Sequence, residues 1–244
     1  MRASDMNMRA LPVLWVLILV VGQIPSSAAP LPVPDAEAGI AIHQTSVLAY
    51  PPRMLYEAIY SGEARVVISV DADGDLTDCL VTGYTHKVFA EAAVDALKRW
   101  RFEPARARGT ARAARTEVQF VFRERGVIVQ SLPGAMEQRM ILGELRERYS
   151  FSPCKLGELD RIPNPVQVVQ PVAPRTSRAR VVTVAFYIDT EGRVRMPAVE
   201  RDAADDEYAA AAVAAVEQWR FEPPMRKGEP VLVYAEQEFK FQPK

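Results

Sequence analysis

The sequence predicts an α+β protein made of two tandem copies of one small unit, and three observations predict it. The pentapeptide Trp100-Arg101-Phe102-Glu103-Pro104 recurs as Trp219-Arg220-Phe221-Glu222-Pro223. Upstream, Asp71-Ala72-Asp73-Gly74-Asp75-Leu76 aligns with Asp189-Thr190-Glu191-Gly192-Arg193-Val194; downstream, Phe120 and Phe122 align with Phe239 and Phe241. The order of these landmarks is the same in both halves.

Each unit reads strand, strand, helix, strand. Ala64, Val66, Ile68 and Val70 alternate with Arg65, Ser69 and Asp71, apart from Val67, and Val182, Val184, Phe186 and Ile188 do the same in the second half. A period of two is that of a strand with one face buried. Gly74 and Gly192 supply the positive φ of a tight hairpin, after which Leu76 to Thr82 and Val194 to Glu200 return. Helices follow over Val88 to Arg99, with Ala92, Ala93, Ala96 and Leu97 on the apolar side, and over the Ala-rich Tyr208 to Gln218. Pro104 and Pro223 prevent their continuation. Closing strands run from Arg115 to Phe122 and from Val231 to Phe241. A short helix fits Pro51 to Tyr60 in the first copy, whereas Pro171 to Arg175 is too Pro-rich for one in the second. Between the copies, Met136, Met140, Ile141 and Leu145 line one side of a helix predicted over Ala135 to Tyr149, followed by the proline-rich, polar Ser150 to Pro174.

The amino terminus has the three parts of a secretory signal: Arg2 and Arg9, an apolar run from Leu11 to Val21, and a small, polar stretch from Gln23 to Ala29. The run is shorter than the ~20 residues of a bilayer-spanning helix. Ser26 and Ala28 place the cut after Ala28, with an uncleaved inner-membrane anchor as the alternative. The expected organisation is a signal peptide over 1–28, a first domain over 43–125, a helical and Pro-rich linker over 126–165 and a second domain over 166–244.

Export bears on the two cysteines, because an oxidising compartment permits a bridge between Cys79 and Cys154. That disulfide is the expectation; the alternative is a small buried strand residue at Cys79 and a loop thiol at Cys154. Thirty basic and 31 acidic residues nearly cancel, which gives no reason to expect a nucleic-acid partner. Asp71 to Asp75 lacks the later glycine and terminal glutamate of an EF-hand, and so reads as a turn. His43 and His86 have no partner at ligand spacing, and nucleophile elbow, phosphate loop and CxxC motif are absent, so no metal, cofactor, small-molecule substrate or enzymatic activity is expected. Arg106, Arg108, Arg112 and Arg115 read as a solvated basic loop, with an anionic lipid or acidic partner as the alternative.

Tyr50-Pro51, Gly62, the Gly74 hairpin, Trp100-Arg101-Phe102-Glu103-Pro104 and the strand to Phe122 resemble the carboxy-terminal domain of the TonB energy-transducer family. The second copy resembles it less, having no Tyr-Pro start and Arg180 near the place of Gly62. The resemblance implies a three-stranded antiparallel sheet with helices on one face and capture of an extended segment of an outer-membrane receptor as an added strand; the cleaved signal makes the periplasm the expected location. It makes the closing strand of the first copy, Thr116, Glu117, Val118, Gln119, Phe120 and Val121, the expected partner-binding edge. The alternative is an edge covered by the other domain, the linker or a second chain. Ala29 to Pro34 is too short to span a periplasm at ~3.1 Å per residue, which argues against a complete energy transducer. The functional expectation is a module that binds extended segments of envelope proteins, TonB-dependent receptors among them; the alternative is a structural component of an envelope assembly.

Overall fold

Residues whose apolar side chains recur every second position have to find a surface to cover one face, and here two helices provide it. The computed structural model describes residues 39–107, 109–132, 149–172, 174, 179–199 and 207–241. The predicted signal peptide and the helix predicted over Ala135 to Tyr149 lie outside these residues, apart from Tyr149 itself.

In chain order the first half comprises β1 (Ala41–His43), α1 (Pro52–Tyr56), β2 (Ser61–Val70), β3 (Leu76–Tyr84), α2 (Lys87–Leu97), β4 (Arg101–Glu103), β5 (Ala105–Ala107), β6 (Thr110–Arg112), β7 (Ala114–Arg123) and β8 (Gly126–Leu132). The second half comprises β9 (Cys154–Lys155), a short 3₁₀ turn, β10 (Pro165–Gln167), β11 (Arg180–Ile188), β12 (Val194–Val199), α3 (Glu207–Val216), β13 (Arg220–Phe221), β14 (Met225–Arg226), β15 (Glu229–Pro230) and β16 (Val233–Phe241). Both copies of the strand–strand–helix–strand unit are therefore present, as expected.

The duplication extends to individual packing positions. Phe89, Ala90, Ala93, Ala96 and Leu97 are the buried residues of α2, and Tyr208, Ala209, Ala212, Ala215 and Val216 occupy the same spacing in α3. Each helix presses onto the alternating face of its long strand: Ala64, Val66, Ile68 and Val70 in one core, Val182, Val184, Phe186 and Ile188 in the other. Small alanines let the helix approach the sheet closely. Gly62 permits the same at the end of β2, because a Cβ there would fall 1.9 Å from the Phe89 ring.

The recurring hairpin and the recurring pentapeptide touch each other. Gly74 and Gly192 have φ of 92° and 80°, and a Cβ on either would run into the backbone oxygen of Phe102 or Phe221. The aspartate that opens each hairpin caps it: Asp71 Oδ1 accepts from the N–H groups of Asp73 and Asp75, and Asp189 Oδ1 from those of Glu191 and Arg193. The pentapeptide strand in turn pairs with the segment preceding each unit, β1 with β4 and β10 with β13. Trp100 Nε1 donates to Ser46 O at 3.0 Å, and Trp219 Nε1 to Val169 O at 2.8 Å. The helix-end tryptophans thus bury their rings and satisfy their N–H groups in the same way.

Both sheets have four strands where three were expected. The first runs β3-β2-β7-β8 and is antiparallel throughout; the second runs β12-β11-β16-β9, with the two-residue β9 parallel to the start of β16. In the first sheet the extra strand lies inside the segment expected to be linker. Glu124 and Arg125 make a two-residue turn, and Val127 and Val129 pack against the first core.

The face of each sheet turned away from its helix is the contact between the domains. Val67 and Leu80 from the first domain meet Tyr187, Met196, Leu232 and Tyr234 from the second, with Phe151 of the connecting segment. Polar bonds border this patch: Arg195 pairs with Asp78, and Arg115 with Glu217 at 3.2 Å.

Candidate functional site

The six residues expected to form a receiving edge are in an interior strand. β7 pairs with β2 on one side and with β8 on the other, the second register running from Glu117 opposite Leu132 to Arg123 opposite Gly126. Their side chains are also engaged. Val118 and Phe120 are wholly buried in the core. Glu117 takes a 2.6 Å ion pair from Arg65 and a 2.6 Å hydrogen bond from Thr82, with both charged side chains 3 % exposed. Gln119 and Tyr149 both donate to Glu63 Oε2. Thr116 Oγ1 lies 2.8 Å from Ser131 Oγ on β8, and Val121 stands opposite Ile128. The alternative considered for this edge, cover by the linker segment, is what the structure shows.

The expected disulfide is not formed either. Cys79 and Cys154 are free thiols that belong to different cores, Cys79 against the first and Cys154 within the second. Burial, with the Asp78 carboxylate beside it, pushes the Cys79 thiol up. Cys154 Sγ instead receives the Arg226 guanidinium at 3.6 Å. Of the basic loop, Arg106 donates to Gly109 O and Arg115 is held by Glu217 across the domain contact; Arg108 lies outside the described residues. His43 Nε2 sits 3.0 Å from Glu103 Oε1 at the surface.

An open edge runs along β16 in the second domain; β3, β8 and β12 are likewise outer strands of their sheets among the described residues. On the side of β16 away from β11, β9 covers only Val233 and Tyr234, which leaves Ala235–Phe241 without a neighbouring strand among the described residues. Backbone groups alternate sides along a strand. Leu232 O accepts from Cys154 N–H, so the even-numbered residues, Glu238 and Lys240 among them, direct their backbone groups to this side, where Glu238 O accepts from Gln237 Nε2 at 2.8 Å.

A groove of about 600 Å³ follows the same seven residues. Its floor includes Phe186, Trp219 and Phe221, and its far wall is the chain entering the domain, with Ile162, Pro163, Pro165, Val168 and Pro171. Ile162 and Val168 remain 72 % and 44 % exposed. Prolines have no N–H, so this wall is poorly suited to pairing with β16 itself. An extended peptide would find main-chain partners on one side and an apolar trough on the other.

The fold, the repeated hairpin and pentapeptide, and this edge can be set beside known proteins. The family described as Gram-negative bacterial TonB protein C-terminal matches residues 47–123 and 172–243, more than half of the chain. The chain belongs to the TonB C-terminal domain family. It carries two tandem TonB-like domains, as the duplicated motifs predict. No curated protein matches it. Membership places the chain among TonB-related, envelope-associated proteins that act through protein interaction. No helix among the described residues is long and apolar enough to cross a membrane.

β16 does not stand out in the sequence, because the second TonB-like copy departs further from the family pattern at Arg180 and lacks the Tyr-Pro start. Both departures lie away from the edge itself. The readable signal was in the first copy: Arg123 and Gly126 bracket a two-residue turn, and Val127 and Val129 alternate after it, which is the pattern of a hairpin that closes β7.

Proposed function

We propose that this protein is exported to the periplasm, with cleavage after Ala28, and that its second TonB-like domain captures an extended segment of another envelope protein as a strand added to β16. The observation that carries this reading is that the stretch of β16 past Tyr234, which has no strand beside it on one side among the described residues, coincides with an apolar groove along the same residues. An added strand gains its affinity from main-chain hydrogen bonds and its selectivity from alternate side-chain pockets, and this edge offers both. TonB-dependent outer-membrane receptors are the class of partner that family membership favours. The first domain acts as the platform: its own β8 closes its β7, and its back face supports the second sheet.

The test is capture from an outer-membrane extract by the immobilised mature chain, its Glu238→Pro variant and its Glu238→Ala variant. Proline deletes one edge donor and is tolerated at an edge position, whereas alanine keeps the backbone intact. Recovery of TonB-dependent receptors by parent and alanine variant but not by the proline variant supports the reading. Recovery of a stable multiprotein complex that ignores Glu238→Pro favours a structural component of an envelope assembly instead.

A further inference from the structure

The two copies differ in charge at a place where they agree in fold. From the end of the helix to the start of the closing strand, residues 98–115 and 217–234 have equal length and align without a gap, Trp100 on Trp219 and Gly109 on Gly228. Both stretches fold the same way. A strand from the pentapeptide, β4 or β13, is followed by a hairpin, β5–β6 or β14–β15, whose turn glycine has φ of 77° or 78° and open space around it. The first stretch nevertheless holds seven basic residues and one acidic, the second three of each. The fold therefore does not require the positive excess.

The surroundings of the two hairpins differ in the same sense. In the second domain the connecting segment wraps the hairpin: Asp160 donates its N–H to Met225 O, its carboxylate accepts from the N–H groups of Lys227 and Gly228, and Arg161 pairs with Glu222 at 2.8 Å. In the first domain Lys98, Arg99, Arg101 and Arg106 are exposed, and Arg106 Nη1 donates to Gly109 O within its own hairpin. Glu103, the acidic residue of this stretch, lies beside His43. The acidic turn Asp73-Gly74-Asp75 bounds the basic face where a Cβ on Gly74 would come 3.5 Å from Pro104 Cδ. Arg115 is held by Glu217 in the domain contact and is not part of this face.

An apolar side chain stands beside these cations. Thr45 Oγ1 donates to Arg99 O at 2.6 Å and Trp100 Nε1 to Ser46 O, which brings Val47 to the end of the helix with 91 % of its surface exposed. The equivalent tryptophan acceptor in the second copy is Val169 O, and the residue after it is Gln170. At a bilayer surface such a valine enters the headgroup boundary while the cations around it meet lipid phosphates. A soluble acidic partner would use the cations and leave the valine in water. We propose that the first domain docks through Lys98, Arg99, Arg101, Arg106 and Val47 onto a bilayer surface that carries anionic phospholipid. The docking does not depend on β16, and it gives the first domain a role beyond support of the second sheet.

The test is sedimentation of the intact mature chain with vesicles of phosphatidylglycerol and phosphatidylcholine in equal parts, and with vesicles of phosphatidylcholine alone. Binding to the anionic vesicles only, weakening as salt is raised, is expected. The triple variant Lys98→Glu, Arg99→Gln and Arg106→Met carries the residues of the second copy and should bind at least about thirtyfold more weakly, since each basic residue near an anionic surface contributes about fivefold. Lys98→Glu alone, at an exposed position, should weaken binding at least about fivefold. Val47→Gln should weaken it about threefold with the salt dependence kept, and Lys227→Ala in the second hairpin should bind as the parent does. Circular dichroism confirms folding of each variant. Equal binding to neutral vesicles, a folded triple or Lys98→Glu variant that binds as tightly as the parent, or an unaffected Val47→Gln variant overturns the proposal. A parent that ignores the vesicles but binds poly-glutamate through the same residues also overturns it, and assigns the face to an acidic protein.

Discussion

Phe221 donates its backbone N–H to Gly192 O at 2.8 Å, and a Cβ on Gly192 would stand 1.9 Å from the Phe221 oxygen. The hairpin glycine and the pentapeptide phenylalanine are thus one structural device, which is why the two motifs recur together. Gly192→Ala meets both a φ of 80° and a backbone atom that cannot rotate away, so a loss of more than about 2 kcal/mol is expected. Gly228→Ala is the comparison: its φ is 78° but the space around it is open, and about 1 kcal/mol is expected. Urea denaturation of the two variants measures the difference, and equal losses would contradict the close approach.

Arg65 and Glu117 form a buried ion pair between the two sheets, and Arg65 Nε has no partner of its own. Removing one charge strands the other, so Glu117→Ala should lower stability by about 3–5 kcal/mol. Replacing both residues together by Met and Leu should recover most of that loss, since a buried pair contributes little net stability over apolar packing. Denaturation midpoints of the single and double variants check this; a single variant as stable as the parent would show that water reaches the pair.

These two relationships mark what the sequence could and could not reveal. The strands, the hairpins and the helices were legible because their signals are local: alternation in Ala64–Val70, a glycine where φ must be positive, an alanine run ending before proline. Arg65 was equally legible as pointing away from the helix-covered core. What covers that face was not, because Tyr187, Tyr234 and Met196, which pack with Val67 on it, lie more than a hundred positions downstream and no spacing rule connects them. The receiving edge failed for a different reason. The family resemblance makes β7 an edge, although the hairpin that covers it is written in Arg123 to Leu132. The expectation of a disulfide rests on compartment and count alone, and those say nothing about the two separate cores that hold the sulfurs.

Cys79 and Cys154 should both titrate as thiols in the denatured, unreduced protein. In the native protein Cys79 should alkylate slowly at neutral pH, because burial and Asp78 disfavour its thiolate. Mass spectrometry after alkylation with and without denaturant reads both outcomes, and a cross-linked Cys79–Cys154 peptide would contradict the first.

Asp189 gives the second hairpin an acid-sensitive element. Burial alone would raise its pKa, but the Arg193 N–H and guanidinium and the Glu191 N–H outweigh it and hold the carboxyl below the usual range. A carboxyl depressed in the folded state stabilises it above the unfolded value of about 3.9, and that contribution is lost as pH falls through the lower, folded value. The urea midpoint of the parent should therefore fall below about pH 4, and Asp189→Asn should flatten that part of the curve. An unchanged slope in the variant would assign the acid sensitivity to other groups.

β7 has a neighbouring strand on both sides, whereas beyond Tyr234 β16 has one on a single side among the described residues, and amide hydrogen exchange of Glu238 against Gln119 reads this difference without any ligand. Gln119 is opposite Gln130 in the β7–β8 ladder, whereas Glu238 presents its N–H to an edge with no strand beside it among the described residues. The predicted result is Gln119 protected close to the global stability and Glu238 exchanging at least about a hundredfold faster. Comparable protection at Glu238, or fast exchange at Gln119, would contradict the assignment of the receiving edge to the second domain.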